Sequence, residues 1–386
     1  MFYTATEEEI KEGKTTDVYF DRAVEVIKKK NVDKWVKAEF RAKGLPRNYK
    51  WAVLGGVEET LTLLEGKNVN VRILDEGTFF KAYDPVMEIE GMYTDFSVYE
   101  TALLGFLCEA SGITTKSARI RKIADKKTVL SFGARRMHPA IAPMIERAAY
   151  IGGCDGFSVT LAGEKMGKRA SGTMPHALIL VFGDTVEAVK AFDEVIEEGV
   201  PRIALIDTYN DEKFEALRVA EALKERLDGV RLDTPSSRRG SMREILKEVR
   251  WELDLRGYDY VKLYVSGGLN EEEIKDVMEY ADGFGVGTSI SNAPTIDFSM
   301  DIMEIEGEPV AKKGKKSGSK SLLRCNRCFN SKVVPFSEKT ETCSCGGVME
   351  DILKPAIRGG KLLKAHPPVD EIRNYVLEQL KHYDIE

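Results

Sequence analysis

The chain has 386 residues, 43% of them hydrophobic and 31% charged, with a formal net charge of −6. That length supports a sizeable core and two or three domains, and the composition is that of a soluble globular protein. Net acidity argues against general nucleic-acid affinity, and no apolar run approaches the roughly 20 residues of a membrane span.

Residues 1–14 are polar and acidic and lack an apolar core segment, so they are not read as a signal peptide and a cytoplasmic location is expected. Residues 1–40 read as helical and charged, with an amphipathic stretch opening at Asp17-Val18-Tyr19-Phe20. On its own pattern Tyr19 reads as a core aromatic. Val57, Leu61 and Leu64 follow a Gly55-Gly56 turn at helical spacing. Alternation at Val69, Val71 and Ile73, then at Val86 and Ile89, predicts an antiparallel sheet with one wet face. Residues 96–110 read as an apolar helix stopped by Ser111-Gly112. Together these elements predict an α+β sandwich over residues 1–112.

A helix with one basic face follows over residues 113–127. Strand patterns then recur at 128–132, 155–160, 168–173, 203–206, 230–232, 261–265 and 283–286, with helical patterns between them. Thr185, behind Asp184, marks one helix start, and Asn270 with Glu273 has capping-box spacing. Alternating strands and helices predict a parallel α/β sheet or barrel. Seven strands are fewer than the eight of a standard barrel. Residues 296–305 and Pro309-Val310 read as a return to β pairing. The basic run 312–320 reads as a solvated linker or, alternatively, a phosphate-gripping loop. The domains expected are a sandwich (1–112 plus about 293–320), a barrel (113–292) and a C-terminal module with a final helix (321–386).

Of six cysteines, Cys108 and Cys154 stand alone. Cys325, Cys328, Cys343 and Cys345 fall within 21 residues as two closely spaced pairs. Two such pairs can meet as a closed four-sulfur site for structural Zn2+, with iron as the other metal. The strand ends carry the remaining chemistry. Asp207 and Asp233 end consecutive strands, either as caps or as a carboxylate pair for Mg2+ or sugar hydroxyls. Ser266-Gly267-Gly268 and Gly287-Thr288-Ser289 end the next two, where glycine and free backbone N–H groups suit phosphate. Arg135, Arg136, His138, Arg169 and His176 surround the same expected mouth.

Six motifs, spread over roughly residues 10–300, carry a family resemblance. They are Thr16-Asp17-Val18-Tyr19, Phe132-Gly133-Ala134-Arg135-Arg136, Gly152-Gly153-Cys154-Asp155-Gly156, Gly172-Thr173-Met174-Pro175-His176, Ile206-Asp207-Thr208-Tyr209 and Gly285-Val286-Gly287-Thr288. The chain resembles the nicotinate phosphoribosyltransferases, within the type II group that also holds the quinolinate and nicotinamide enzymes. The resemblance implies an irregular seven-stranded α/β barrel, an α+β sandwich and a small four-cysteine appendage. It implies a pyridine ring held between Phe132 and a Tyr19 from a neighbouring subunit, replacing the core reading of Tyr19. A homo-oligomer, a dimer or a dimer-based ring with its active site at the subunit interface, follows. Arg135 would meet the substrate beside the pyridine. Asp207 and Asp233 would take the ribose and Mg2+, and Ser266, Gly267, Gly268, Gly287 and Thr288 the 5′-phosphate. His176 matches a histidine that some members phosphorylate to couple ATP. Thr173 belongs to the same motif as His176. Asp155 near the pyridine would favour an amide acceptor unless it pairs with an arginine.

The expected reaction is pentosyl transfer from phosphoribosyl diphosphate to nicotinate, giving nicotinate mononucleotide and diphosphate. Catalysis would be mainly positioning and electrostatics around an oxocarbenium-like transition state. The alternatives are the quinolinate enzyme, which must hold two carboxylates in a pocket denser in Arg and Lys, and the nicotinamide enzyme. A zinc-ribbon nucleic-acid-binding protein is the rival from another class. It would need a basic face around 325–345, but the sequence there is mixed, with Glu338, Glu341, Glu350 and Asp351 nearby.

Overall fold

A computed structural model describes residues 1–336 and 341–385; Glu338 lies outside the described residues. The chain forms two compact units, one of residues 1–118 with 294–386, the other of residues 119–293.

The first unit is built on a seven-stranded sheet. Its strands run in the order Glu308–Pro309, Phe298–Ile305, Trp35–Ala42, Pro85–Met92, Val69–Ile73, Lys354–Arg358, Lys361–Leu362. Residues 35–42, expected within a helical region, are instead a central strand paired antiparallel on both sides. The cause is a period of two: Val36, Ala38, Phe40 and Ala42 are buried in the core, while Lys37, Glu39 and Arg41 alternate with them. Phe40, Leu64, Leu74, Met87, Ile89 and Phe96 are fully buried in that core, and each such side chain contributes about 1.5–3 kcal/mol on leaving water.

The expected break at Ser111-Gly112 does not occur, and one helix runs from Glu100 to Ala124. These small residues serve close packing. A Cβ on Gly112 would stand 2.5 Å from the Pro294 carbonyl oxygen, and Ser111 Oγ accepts the Gly55 N–H at 3.0 Å. The basic run 312–320 is likewise not a free linker. Lys315 and Lys312 pair with Asp301, whose side chain is 1% exposed, and Lys320 Nζ lies 2.9 Å from Glu39 Oε2. A four-stranded sheet ordered Ser331–Pro335, Lys320–Cys325, Val348–Asp351, Glu341–Thr342 follows. Arg72 ties it to the large sheet, donating to Asp351 Oδ2 at 2.8 Å and to the Lys320 carbonyl at 3.2 Å.

The second unit is a curled, parallel, six-stranded half-barrel. Its order is Gly156–Phe157, Thr128–Ser131, Gly283–Val286, Lys262–Ser266, Gly229–Leu232, Ile203–Leu205. Residues 168–173, expected as a strand, form no ladder; Ser171 N donates to the Phe157 carbonyl at 2.7 Å and the stretch is otherwise irregular. Its two flanking glycines and its Lys-Arg-Ala-Ser content offer nothing to bury on either face. It nevertheless lies where a seventh stave would, since a Cβ on Gly156 would collide with the Ser171 side chain. The fold class is the expected one, an irregular α/β fold with a curled half-barrel sheet and a C-terminal four-cysteine cluster, with six paired strands in place of the expected seven. Among the described residues no helix is long and apolar enough to cross a membrane.

Candidate active site

The C-terminal ends of the half-barrel strands bring several of the expected residues together. Asp207, just past Ile203–Leu205, has a side chain 3% exposed and faces His176, whose Nε2 is 3.2 Å from both carboxylate oxygens. Burial raises the Asp207 pKa above the ordinary carboxylate value, the His176 contact opposes that rise, and the charge of Asp233 adds to it. Asp233, just past Gly229–Leu232, accepts from Ser266 Oγ at 2.8 Å. Neither aspartate caps the helix that follows, because Asp211 and Ser241 perform that role. The carboxylates are thus left for other partners. Gly267 (φ +87°) is the turn that admits Asp233, since a Cβ there would stand 2.9 Å from Asp233 Oδ1. Gly285 leaves room for the Phe132 ring, which a Cβ would approach to 2.6 Å.

Sequence reasoning missed Arg231. It sits mid-strand between Val230 and Leu232, both fully buried, and the strand period turns its side chain to the opposite face. Its Nη2 donates to the Met174 carbonyl at 2.9 Å and its Nη1 to Ser266 Oγ at 3.3 Å, with the guanidinium 6.0 Å from the Phe132 ring centroid. Its Nε is buried with no protein acceptor. Burial lowers its pKa, and the Asp233 and Asp207 charges oppose that. The signal in the sequence was a lone charge inside an otherwise apolar parallel strand, which needs a polar lumen or a ligand to face.

The other expected residues are more dispersed. Arg135 and Arg136 are exposed on the short turn Ala134–Arg136. His138 Nδ1 accepts the Ala140 N–H at 3.1 Å and so caps a turn. Arg169 is exposed and pairs with Glu197. Thr173 Oγ1 lies 3.5 Å from the Met174 carbonyl oxygen. His176 opens the helix His176–Phe182. Asp155 is at the other end of the sheet, level with Val129, where its Oδ2 pairs with Arg121 and accepts the Val129 N–H at 2.9 Å. It has the arginine partner that the sequence left open. Gly268 (φ +73°) continues the glycine turn, and Thr288 and Ser289 follow Gly287 in the turn Thr288–Ser291. Tyr19, in the other unit, is 57% exposed and so is no core aromatic; its hydroxyl donates to Asp17 Oδ2 at 3.2 Å.

Cys325, Cys328, Cys343 and Cys345 converge, with all four Sγ atoms within 4.8 Å of one another. Cys325–Cys345 and Cys328–Cys343 are each 3.5 Å apart. A tetrahedral ion with metal–sulfur bonds near about 2.3 Å spaces its sulfurs by about 3.8 Å, so the set fits a closed four-thiolate metal site. The backbone N–H of Cys328 is the main influence lowering the Cys325 thiol from its ordinary value. Gly347 makes the closure possible, because a Cβ there would stand 2.5 Å from Cys325 Sγ.

Residues 17–111 match the model of the quinolinate phosphoribosyl transferase N-terminal domain, and residues 113–301 match that of its C-terminal domain. A crystal structure of nicotinate-nucleotide pyrophosphorylase from Pyrococcus furiosus is 56% identical to this chain, with a TM-score of 0.98, covering 100% of this chain and 99% of that one. The chain belongs to the quinolinate phosphoribosyl transferase family. It is a type II phosphoribosyltransferase-family enzyme of pentosyl transfer in pyridine-nucleotide biosynthesis. The two domain matches and the Pyrococcus structure correct the expectation of a nicotinate phosphoribosyltransferase. The motifs behind that expectation do not by themselves separate the enzymes of this group. A nicotinate phosphoribosyltransferase of Mycobacterium tuberculosis is 27% identical over 326 residues, covering 79% of this chain and 67% of that protein. The human nicotinic acid phosphoribosyltransferase structure (18% identical, TM-score 0.74, covering 96% of this chain and 94% of that one) shares the fold.

Proposed function

We propose that the chain transfers the 5-phosphoribosyl group from phosphoribosyl diphosphate to quinolinate, giving nicotinate mononucleotide, diphosphate and carbon dioxide. Within the family assignment, the observation that carries this reading is Arg231. The acceptor is a dicarboxylate, and the half-barrel mouth holds a guanidinium with a buried donor, Nε, that has no protein acceptor. A buried donor left unmatched costs about 1–3 kcal/mol, a cost that an anionic ligand removes.

The pyridine nitrogen attacks ribose C1 as the C1–O bond breaks and its electron pair leaves with diphosphate. Quinolinate carries one carboxylate more than the product. The bond from ring C2 to that carboxylate therefore breaks, its electron pair stays on C2 beside the cationic nitrogen, and a proton completes the ring. Asp207 and Asp233 orient the ribose and would hold Mg2+, which when bound supplies neutralisation of the leaving diphosphate. Ser266 to Gly268 and Gly287 to Ser289 cradle the 5′-phosphate, and Phe132 lies under the ring. Arg135, His138, Arg169 and Thr173 would supply further polar groups to the substrates. Tyr19, exposed in one copy, covers the ring of a second copy in a homo-oligomer. Zinc fills the four-cysteine site. No step requires ATP.

The test is a product assay with phosphoribosyl diphosphate, Mg2+ and either quinolinate or nicotinate. Carbon dioxide and nicotinate mononucleotide in equal amounts from quinolinate support the proposal. Turnover of nicotinate with none of quinolinate refutes it.

A further inference from the structure

The four-cysteine module grips the C-terminal segment from both of its flanks. On one flank Arg324, adjacent to Cys325 and 5% exposed, donates from Nη1 to Gln379 Oε1 at 3.3 Å and from Nη2 to the Phe79 carbonyl. Gln379, itself 1% exposed, accepts the Phe79 N–H at 3.2 Å and donates to the Gly77 carbonyl at 2.9 Å. One buried hydrogen-bond chain thus joins the module, the 77–79 segment and the helix Val369–Leu380. Breaking it anywhere strands buried polar groups.

On the other flank Phe329 follows Cys328 directly. It adopts φ +59°, a conformation that costs a residue with a side chain about 1–2 kcal/mol, and its N–H donates to the Cys325 carbonyl at 3.2 Å. So held, its ring stacks on His382 (centroids 4.2 Å apart, interplanar angle 17°) and its carbonyl accepts from Tyr383 Oη at 3.3 Å. Tyr383 stacks in turn on Phe79 at 4.7 Å, and Trp51 Nε1 donates to the Asp384 carbonyl at 2.6 Å. Phe329 thus lies at once in the cysteine turn and in the dock for the chain's last residues.

The same buried face of this helix, which carries Ile372, Val376 and Gln379, continues past the hydrogen-bond chain. Ile372 and Tyr375 line a cavity of about 330 Å³ together with Leu61, Leu74 and Lys354. The fit is close at Gly77, where a Cβ would stand 2.8 Å from Val376.

We propose that metal bound by Cys325, Cys328, Cys343 and Cys345 acts as a clasp that docks residues 369–385, and with them one wall of this cavity. Four thiols gathered within 4.8 Å have no covalent link among them. A bound cation fixes the turn from Cys325 to Cys328, and the turn fixes Phe329. Loss of the metal frees Phe329 to leave its left-handed conformation, and the aromatic dock goes with it.

The test is amide hydrogen exchange on the full chain, as loaded with one equivalent of zinc and after stripping with a chelator, with bound zinc quantified in both. Stripping is expected to reduce protection over residues 369–385 and 77–80 by at least about tenfold, with strands 35–42 and 85–92 unchanged and with recovery on zinc return. Phe329→Ala in the loaded protein is expected to lower protection over 381–385 while zinc content stays at one per chain. Equal protection of 369–385 in loaded and stripped protein would overturn the clasp. So would simultaneous loss of protection across the whole large sheet, which would make the metal a general stabiliser. Failure of the chain to take up zinc would overturn it as well.

Discussion

His176 Nε2 stands 3.2 Å from each carboxylate oxygen of Asp207. Burial pushes the Asp207 pKa up, and this contact partly offsets the rise. Removing the imidazole therefore moves the pKa further up. In His176→Ala we expect the acidic limb of the kcat/KM–pH profile to shift to higher pH. Measuring the profile with quinolinate over the acid range checks this; an unmoved limb would show that it does not report Asp207.

Arg231→Gln removes charge and fork together and leaves the Met174 carbonyl without its 2.9 Å donor. A charge-assisted hydrogen bond contributes about 1.5–3 kcal/mol, so kcat/KM for quinolinate should fall about 10- to 150-fold. Arg231→Lys keeps the charge without the fork and should recover only part of the loss. Full recovery in Lys would mean that charge alone matters.

Gly267→Ala combines strain at φ +87° with a methyl group 2.9 Å from Asp233 Oδ1. We expect KM for phosphoribosyl diphosphate to rise as Asp233 is displaced, together with destabilisation of about 1–2 kcal/mol. Gly199→Ala separates the two effects, because Gly199 has φ +86° but no neighbour within 4 Å. It should lower Tm and leave KM alone. Equal KM changes in both variants would refute the displacement.

Burial, with Asp301 adding to it, raises the Glu100 pKa from 4.5 to about 7. For an acid whose folded pKa is raised, the folded state holds the proton that the unfolded state has already released. Stability from this group is therefore present in full below pH 4.5, is lost as pH rises toward about 7, and stays lost above. Glu100→Gln should raise Tm at pH 8 but not at pH 4, and should flatten the Tm–pH curve between. Thermal melts across that range decide it.

Much of this molecule could be read from residue order. Asn270 and Glu273 form their capping box, and the strand-end positions of Asp207, Asp233 and Ser266 are as expected. Elsewhere a local rule lost to packing. Ser111-Gly112 has the chemistry of a helix stop, yet Gly112 is small because Pro294 lies against it. Thr185 looked like a cap, but Asp184 accepts the Val186 and Glu187 N–H groups. Residues 35–42 carry a period of two that their charged neighbours obscured. Arg231 was missed because the hydrophobic run around it identifies a strand and says nothing of what faces a lumen. The acceptor was misjudged for a related reason. The motifs that suggested nicotinate do not distinguish it from quinolinate, and Arg231 lies outside all of them.

The Trp35–Ala42 strand also has a history in time. One edge pairs with Pro85–Met92, within reach soon after synthesis, while the other pairs with Phe298–Ile305. At about 5–20 residues per second, the ribosome leaves that second edge bare for roughly tens of seconds. During that interval its unpaired backbone is a template for any other strand. The edge itself carries Lys37, Glu39 and Arg41 between its apolar residues. Charged residues along a strand are one of the devices that keep a bare edge from pairing with a foreign chain, and in the folded protein the same three side chains make ion pairs.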